Sequence, residues 1–276
     1  MTASPETLYL DLVKKTLAFS LWPEPPIPID ALYARSSPPK RILVSVVSRT
    51  LRSLRLQLAL DRAITAKERE EGSFWPAYAF TMIGQRRLDN LQSCVETVLR
   101  ERVDGDLIET GIWRGGACIL MRAILAAHGV QDRKVFVADS FEGLPKPDPR
   151  FPVDKGDTRH KSRYLAVTQA QVEDNFARFG LLDHQVVFLK GWFRDTLPTA
   201  PIHKLAVLRL DGDMYGSTMD ALESLYPKLS QGGFCIVDDY AIRGCRQAVE
   251  DYRMQNEIRA ELHEIDWTGR YWRKVD

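Results

Sequence analysis

Four aspartates stand directly after two apolar runs, where carboxylates are costly. Asp211 and Asp213 follow the run LAVLRL, and Asp238 and Asp239 follow the run FCIV. Crowded carboxylates that have lost part of their hydration repel one another unless a positive charge lies among them. Carboxylate oxygens are ligands that Mg²⁺ and Mn²⁺ prefer, with other positions left to water or substrate hydroxyls. The pattern predicts a divalent cation site, the alternative being aspartates that only cap helices and close turns.

A glycine-rich segment, ETGIWRGG at residues 109–116, follows another apolar run and precedes a helical pattern. Glycines let the backbone approach a ligand closely, and free N–H groups at a helix N-terminus can bind a carboxylate. A nicotinamide-binding turn would read G-x-G-x-x-G and would cradle a pyrophosphate. Here Glu109 stands at the mouth of the loop. An acidic side chain repels phosphate but accepts hydrogen bonds from a cationic amine, such as that of S-adenosylmethionine.

Two more segments after apolar runs carry side chains that suit a nucleoside. Asp139, in ADSFEGLP, can accept both hydroxyls of a ribose, in a dinucleotide or in S-adenosylmethionine. Trp192 and Phe193, in GWFRD, could sandwich an adenine ring. A structural alternative exists for each residue, because an aspartate after a strand also caps helices and aromatic rings also pack beneath loops.

The elements that must position these residues alternate in character after residue 104. Short apolar runs typical of strands buried on both faces lie at residues 106–109, 134–139, 186–190, 205–211 and 234–238. Helical patterns lie at residues 116–128, 168–179, 217–228 and 244–256. Residues 261–266 and 270–274 flank a Trp-Thr-Gly turn and predict a hairpin that adds one antiparallel strand. The alternation predicts an α/β fold with a parallel sheet covered on both sides, whose carboxyl edge gathers the segments above.

The first hundred residues are mainly helical in pattern. Helices are predicted over residues 6–19, 41–70 and 81–100, with a proline-rich link over 23–39 that cannot be regular helix. In residues 41–70 apolar side chains recur at three- and four-residue spacing, with the arginines mostly elsewhere. Three roles are open for this basic amphipathic helix. It would pack on the domain or across an oligomer interface, form a lid that shapes a ligand pocket, or attach to an anionic membrane surface.

Composition excludes several classes of protein. Among 276 residues, 38 are Lys or Arg and 37 are Asp or Glu, so the net charge of +1 does not favour a nucleic-acid partner. No window reaches the roughly 18 apolar residues of a membrane span, and no signal-peptide pattern is present, so we expect a cytoplasmic protein. The 4 cysteines form no C-x-x-C pair and are expected to be buried as small hydrophobic residues.

The segments ETGIWRGGA, ADSFEGLP, GWFRDTLP, LRLDGDMYGST and FCIVDDY, with TMIG at 81–84 and YWR at 271–273, resemble the TylF/MycF (macrocin O-methyltransferase) family in order and spacing. The resemblance covers residues 80–274 and is weak before residue 72. It implies a Rossmann-like class I S-adenosylmethionine-dependent methyltransferase domain over 81–276, with a mainly parallel seven-stranded sheet. A helical segment over 1–80 would serve as lid or oligomerisation element. The implied activity is S-adenosylmethionine- and Mg²⁺-dependent O-methylation of a deoxysugar hydroxyl on a natural product, by a homo-oligomer.

The resemblance also implies residue roles. It makes Asp211, Asp238 and Asp239 the metal ligands, with Asp211 also the general base. The implied cofactor contacts are Glu109, Gly111, Trp113 and Gly115 at the methionine end, Thr81 and Met82 closing over it, Asp139 and Ser140 at the ribose, and Trp192 and Phe193 at the adenine.

Residues 146–164 are rich in charge and are predicted to form a mobile lid over the acceptor. His160 in this segment could touch sugar hydroxyls, but we expect it to be solvated and not catalytic. Other classes stay open: an NAD-dependent oxidoreductase, a metal-dependent methyltransferase of a catechol, and a non-catalytic assembly protein. A titration with NADH against S-adenosylhomocysteine separates the first, a glycoside tested beside a catechol the second, and Mg²⁺-stimulated turnover the third.

Overall fold

The computed structural model describes residues 3–29, 38–60 and 64–275. Its helices are α1 (Pro5–Leu17), α2 (Pro38–Ser53), α3 (Ala66–Glu71), α4 (Gln85–Arg100), α5 (Gly116–Ala127), α6 (Gln169–Arg178), α7 (Phe193–Thr196), α8 (Tyr215–Leu225) and α9 (Arg243–Gln255). Its strands are β1 (Ile27–Pro28), β2 (Ala59–Leu60), β3 (Asp106–Thr110), β4 (Val135–Asp139), β5 (Val186–Lys190), β6 (Leu205–Leu210), β7 (Leu229–Val237), β8 (His263–Glu264) and β9 (Arg270–Arg273). Short 3₁₀ turns cover Pro152–Asp154, Arg159–Lys161 and Tyr226–Lys228.

The larger sheet has seven strands in the order β5-β4-β3-β6-β7-β9-β8. Neighbours from β5 to β7 pair in parallel, whereas β9 pairs antiparallel with both β7 and β8. The predicted α/β fold with a mainly parallel sheet is confirmed. Two details differ: β7 begins at Leu229, before the predicted start at residue 234, and the final hairpin adds two antiparallel strands to the sheet where one was predicted.

Apolar packing on both faces of the sheet explains why its strands were recognisable. One buried cluster joins the sheet to α1, α4, α5 and α6, and the other joins it to α8 and α9. Strand β6 is buried along its whole length, including Arg209, which is only 1% exposed. A fully buried arginine needs charged partners. The middle of the sheet therefore holds buried ion pairs of Arg209, which the alternation of apolar and polar residues in the sequence does not indicate.

The predicted helix over residues 41–70 is wrong beyond residue 53. Arg55 adopts a left-handed conformation, φ 58°, and the N–H of Leu56 donates to the carbonyl of Leu51 at 2.9 Å, which ends the helix. A new helix, α3, begins at a capping box in which Thr65 and Glu68 satisfy each other's backbone N–H groups. Between the two helices, β2 pairs antiparallel with β1 from the proline-rich link. Residues 30–37 and 61–63 of these predicted elements lie outside the described residues.

Most of the apolar stripe of this segment is exposed. Val47, Leu54 and Leu58 are 39%, 65% and 48% exposed, whereas Val44 and Leu51 are partly buried. The stripe as a whole therefore does not pack on the domain as predicted. The interface, lid and membrane interpretations stay predictions. Helix α1 differs from α2, because Leu10 and Leu17 lie in the same buried cluster as α5. The domain division at residue 80 stays a prediction.

Two further expectations concern the chain as a whole. All four cysteines are free and buried, as predicted. Over residues 3–29, 38–60 and 64–275, no helix combines the length and the apolar character that crossing a membrane requires.

Candidate active site

A cavity of about 660 Å³ opens at the carboxyl ends of β3, β4, β5 and β6. The predicted site residues that line it are Met82, Gly111, Trp113, Asp139, Ser140, Trp192, Phe193 and Asp211. The predicted site residues outside this lining are Thr81, Glu109, Gly115, Asp238 and Asp239. Parallel strands place their carboxyl ends at one edge, which is where ligands bind in such sheets.

The loop between β3 and α5 lies against the end of β6. Gly111 has φ 89°, and a methyl group built on it would overlap the backbone carbonyl of Asp211. The N–H of Asp211 donates to the carbonyl of Thr110 at 2.8 Å. Gly115 has φ 84° directly before α5, and a methyl group there would lie 2.8 Å from a side-chain carbon of Val172. The missing side chain of Gly111 therefore lets the loop lie against the backbone of Asp211 beside the cavity. The missing side chain of Gly115 leaves room for α6.

Asp139 holds the same loop from the end of β4. Its Oδ2 accepts from the N–H of Ile112 at 2.9 Å, and its Oδ1 from the N–H of Phe141 at 2.7 Å. Burial raises the pKa of Asp139, and these N–H donors oppose the rise. The hydroxyl of Ser140 also donates to Oδ1, at 3.3 Å. The protein therefore occupies much of this carboxylate's acceptor capacity, and the ribose contact of Asp139 stays a prediction.

Glu109 lies beneath the loop and not at the cavity wall. It is 2% exposed, pairs with Arg209, and accepts from the thiol of Cys118 at 3.0 Å. Burial raises the pKa of Glu109 to about 7, against the opposing charge of Arg209. Its partners here belong to the protein, and the amine contact implied for it stays a prediction.

The aspartates that follow β6 and β7 form one cluster. Asp211, Asp238 and Asp239 each place a carboxylate oxygen within 4.8 Å of the others. Burial and the neighbouring Asp238 raise the pKa of Asp211. Burial and the carboxylates of Asp213, Asp211 and Asp238 raise the pKa of Asp239 well above its usual range. The structure thus brings the three predicted metal ligands together, at an electrostatic cost that a cation would relieve.

Two buried arginines contact this cluster, and sequence reasoning missed both. Arg209 pairs with Glu109 and Asp238, and its Nη1 lies 2.8 Å from Oδ2 of Asp211. Arg87, from the first turn of α4, donates through Nη1 to Oδ2 of Asp238 at 2.6 Å. A charged residue inside the apolar run LAVLRL was a readable signal for Arg209. No local signal marks Arg87, which meets Asp238 across 151 positions of sequence.

Several residues of the segment 146–164 line the cavity, and hydrogen bonds and ion pairs tie the segment to α8 and to the loop before it. Its mobility and its position over an acceptor stay predictions. The N–H of Tyr215 donates to Oδ1 of Asp154 at 3.1 Å, and Arg159 pairs with Asp213. His160 lines the cavity, and its Nδ1 is buried with no hydrogen-bond partner among the described residues. His160 stays partly exposed, so the expectation of a solvated ring holds only in part. That His160 is not catalytic stays a prediction.

The aromatic and N-terminal residues of the predicted site flank the cavity. Trp192 caps the short helix α7 and Phe193 begins it. Trp113, with φ 47°, donates through Nε1 to the carbonyl of Tyr164 in the lid segment at 2.8 Å. Thr81 is buried, and its hydroxyl accepts from the N–H of Ile83 at 3.3 Å, so it shapes the turn before α4.

Comparison with known proteins decides the family. A sequence model described as macrocin-O-methyltransferase (TylF) matches residues 6–274. This chain belongs to the TylF family. The match extends well before residue 72, where the resemblance read from motifs was weak.

Individual relatives agree with the family. The chain is 53% identical, over 221 residues, to mycinamicin III 3''-O-methyltransferase of Micromonospora griseorubida, covering 79% of this chain and 87% of that protein. It is 49% identical, over 275 residues, to 8-demethyl-8-(2,3-dimethoxy-alpha-L-rhamnosyl)-tetracenomycin-C 4'-O-methyltransferase of Streptomyces olivaceus, covering 99% and 95%. The solved O-methyltransferase NovP superposes with a TM-score of 0.80 at 44% identity, covering 98% of this chain and 100% of NovP.

The family resemblance is confirmed. The chain is an O-methyltransferase, and its fold is that of class I S-adenosylmethionine-dependent methyltransferases. The oxidoreductase and non-catalytic alternatives are set aside by this membership.

Proposed function

We propose that the enzyme methylates a hydroxyl of a deoxysugar attached to a natural product, with Mg²⁺ held by Asp211, Asp238 and Asp239. The observation that carries the proposal is the carboxylate cluster at the edge of a cavity large enough for a cofactor and part of an acceptor. The relatives support the acceptor class, because their names describe methylation of a mycinamicin and of a rhamnosyl tetracenomycin.

The donor set fits a hard divalent cation. All three candidate ligands are carboxylates, and Mg²⁺ prefers oxygen donors with water or substrate in the remaining positions. Both oxygens of Asp238 accept hydrogen bonds, one from Arg87 and the other from Arg209. Each oxygen keeps a lone pair that a cation could use. Asp213 adds a nearby fourth carboxylate, and its backbone N–H donates to Oδ2 of Asp239 at 3.0 Å.

The cavity wall also fits S-adenosylmethionine. Asp139 and Ser140 lie at the end of β4, where a ribose would bind, and Trp192 and Phe193 offer aromatic surface for an adenine. Gly111 lets the loop backbone approach the ligand. The cofactor supplies the methyl group on a sulfonium, an electrophile that an oxygen nucleophile attacks in line.

The remaining chemistry belongs to the chain's own residues. Asp211 lines the cavity with its side chain 25% exposed, so its carboxylate can accept the proton of an acceptor hydroxyl. A bound divalent ion acts as a Lewis acid that lowers the pKa of a coordinated hydroxyl. The lid over the cavity excludes water and orients the acceptor, because an in-line displacement depends mostly on alignment and desolvation. In such a transfer the acceptor oxygen would gain the methyl group, Asp211 would hold the hydroxyl proton, and the cofactor would leave as a neutral thioether.

The test is a turnover assay with purified enzyme, S-adenosylmethionine and paired acceptors. A deoxysugar glycoside, its aglycone and a simple catechol are incubated with Mg²⁺ or with EDTA, and methylated products are identified by mass spectrometry. We expect methylation of the glycoside only, and only with Mg²⁺. Preferred methylation of the catechol would assign a different acceptor class, and unchanged turnover in EDTA would refute the metal role.

A matched pair of variants tests the residue assignment. Asp211→Asn should abolish glycoside methylation, because the base and a metal ligand are both lost. Asp104→Asn is the control, since Asp104 is an exposed carboxylate paired with Lys204 before β3, at the opposite edge of the sheet. Equal activity of the two variants would contradict the proposal. A homo-oligomer and a cytoplasmic location stay predictions.

A further inference from the structure

Arg87 joins three distant parts of the chain at the carboxylate cluster. Its Nη1 donates to Oδ2 of Asp238 at 2.6 Å, its Nε to Oδ2 of Asp266 at 2.9 Å, and its Nη2 to the carbonyl of Glu71 at 3.1 Å. The side chain is 6% exposed. A guanidinium with its donors spent in three directions has a fixed orientation, which a single ammonium group cannot reproduce.

The C-terminal hairpin is built around this side chain. Asp266 has no exposed side-chain surface, and its Oδ1 accepts from the N–H groups of Thr268 and Gly269 at 3.0 and 2.7 Å. The hydroxyl of Thr268 donates to the backbone carbonyl of Asp238 at 2.9 Å. A methyl group on Gly269 would lie 3.1 Å from Cδ of Arg87, so glycine leaves room for the arginine. The turn thus holds both Arg87 and Asp238.

On its other side Arg87 is enclosed by the chain before α4. A methyl group on Gly72 would lie 2.7 Å from Nη2 of Arg87, and the indole of Trp267 donates to the carbonyl of Glu71 at 3.0 Å. Arg209 takes the second oxygen of Asp238 from within β6. The orientation of the Asp238 carboxylate is therefore determined by two guanidinium groups, neither of which lines the cavity.

We propose that Arg87 is a positioning residue of the metal site, which orients the Asp238 carboxylate toward the cation and is itself anchored by Asp266. This inference rests on the proposed metal-dependent function. Carboxylate ligands gain affinity when other partners fix their orientation, and loss of such a partner typically weakens metal binding 10- to 100-fold. Arg87 then acts through Asp238, without touching the cation, the cofactor or the acceptor.

Arg87→Lys is the informative variant, because it keeps the positive charge and loses the three-way geometry. Binding of Mn²⁺ alone to the full chain is followed by electron paramagnetic resonance, and Mg²⁺ affinity by competition. We expect the Mn²⁺ dissociation constant to rise about tenfold, with the spectrum of bound Mn²⁺ changed. Asp266→Asn is the second variant. Its single amide oxygen cannot accept both from Arg87 and from the N–H groups of Thr268 and Gly269. The Mn²⁺ dissociation constant should therefore rise in this variant as well.

Arg122→Lys is the matched control for loss of a buried arginine. Arg122 is 8% exposed and reaches Asp183 through Nε and Nη2, as Arg87 reaches its own carboxylates through Nε and Nη1. Asp183 precedes β5, so this pair lies at the opposite edge of the sheet from the cluster. The control should lower the melting temperature and leave the Mn²⁺ dissociation constant within twofold of wild type.

Two outcomes overturn the inference and are distinguishable. If wild type binds Mn²⁺ and Arg87→Lys binds it within twofold of wild type, Arg87 is only structural and the proposed function stands. If wild type itself binds no Mn²⁺, the metal-dependent function fails, and the inference fails with it.

Discussion

Replacing Arg209 by methionine should lower the free energy of unfolding more than the same replacement of an exposed arginine does. Methionine keeps apolar bulk in β6 but leaves Glu109 without its buried counter-charge, and it leaves Asp238 with Arg87 alone. Removing one partner of a buried ion pair typically costs about 3–5 kcal/mol, because the remaining charge stays desolvated. At roughly 2–4 °C per kcal/mol for a chain of this size class, the melting temperature should fall by roughly 6–20 °C.

The assay is denaturation of wild type and variant by urea and by heat, in EDTA so that metal binding does not contribute. It is run at about pH 9, because the pKa of Glu109 is raised to about 7 and rises further without Arg209. Arg178→Met is the control, because Arg178 is 62% exposed and pairs with Asp174 one turn away on the helix surface. Its effect should stay within about 0.5 kcal/mol. Adding Glu109→Gln to Arg209→Met removes the orphaned charge, so the double variant should recover at least about 1 kcal/mol.

The electrostatic reasoning is refuted if Arg209→Met loses less than about 1 kcal/mol, or if Glu109→Gln destabilises the variant background as much as wild type. Either result would mean that water or a protonated Glu109 already satisfies the buried charge.

Three further predictions concern the site. Asp139→Ala should weaken binding of S-adenosylhomocysteine at least tenfold, through loss of the ribose contact and of the loop held at Ile112; calorimetry that shows unchanged affinity would place the ribose elsewhere. Gly111→Ala should destabilise the fold by at least about 2 kcal/mol and abolish activity, because φ is 89° and the methyl group overlaps the carbonyl of Asp211; an alanine variant with wild-type melting and turnover would contradict this. Mg²⁺ should stabilise the protein more as pH rises. Burial and neighbouring carboxylates raise the pKa of Asp213 to about 7 in the folded protein, from 3.8 in the unfolded chain. The protonated carboxyl therefore contributes stability to the metal-free fold. That contribution is complete below pH 3.8 and is lost as the pH rises through about 7. The melting-temperature gain from Mg²⁺ should therefore be small near pH 5 and largest near pH 8, and a gain independent of pH would contradict it.

The parallel sheet could be predicted because its strands are buried on both faces and interrupted by amphipathic helices. The carboxylate cluster could be predicted because Asp211, Asp238 and Asp239 directly follow two parallel strands. Neighbouring parallel strands place their carboxyl ends at the same edge of the sheet. In both cases a local pattern determines a global arrangement. The match of the family from residue 6 agrees with the assignment that the motifs implied.

The errors arose where the deciding contact is conformational or distant. The helix over residues 41–70 keeps its apolar period across the break, and the left-handed Arg55 that ends it has no signature in the periodicity. The Thr65–Glu68 capping box was legible and was missed. Arg87 could not be found, because its partners Asp238 and Asp266 are 151 and 179 positions away.

The lid and the charged network meet the cavity from different parts of the chain, and this has a consequence for protein engineering. Residues 146–164 are held by Asp154 on Tyr215, by Arg159 on Asp213, and by Tyr164, whose carbonyl accepts from Trp113 and whose hydroxyl donates to the carbonyl of Pro76. A segment transplanted from a relative would need to keep these three anchors. Under the proposed function, such an exchange would alter the acceptor pocket and leave the arginine-bound carboxylates intact.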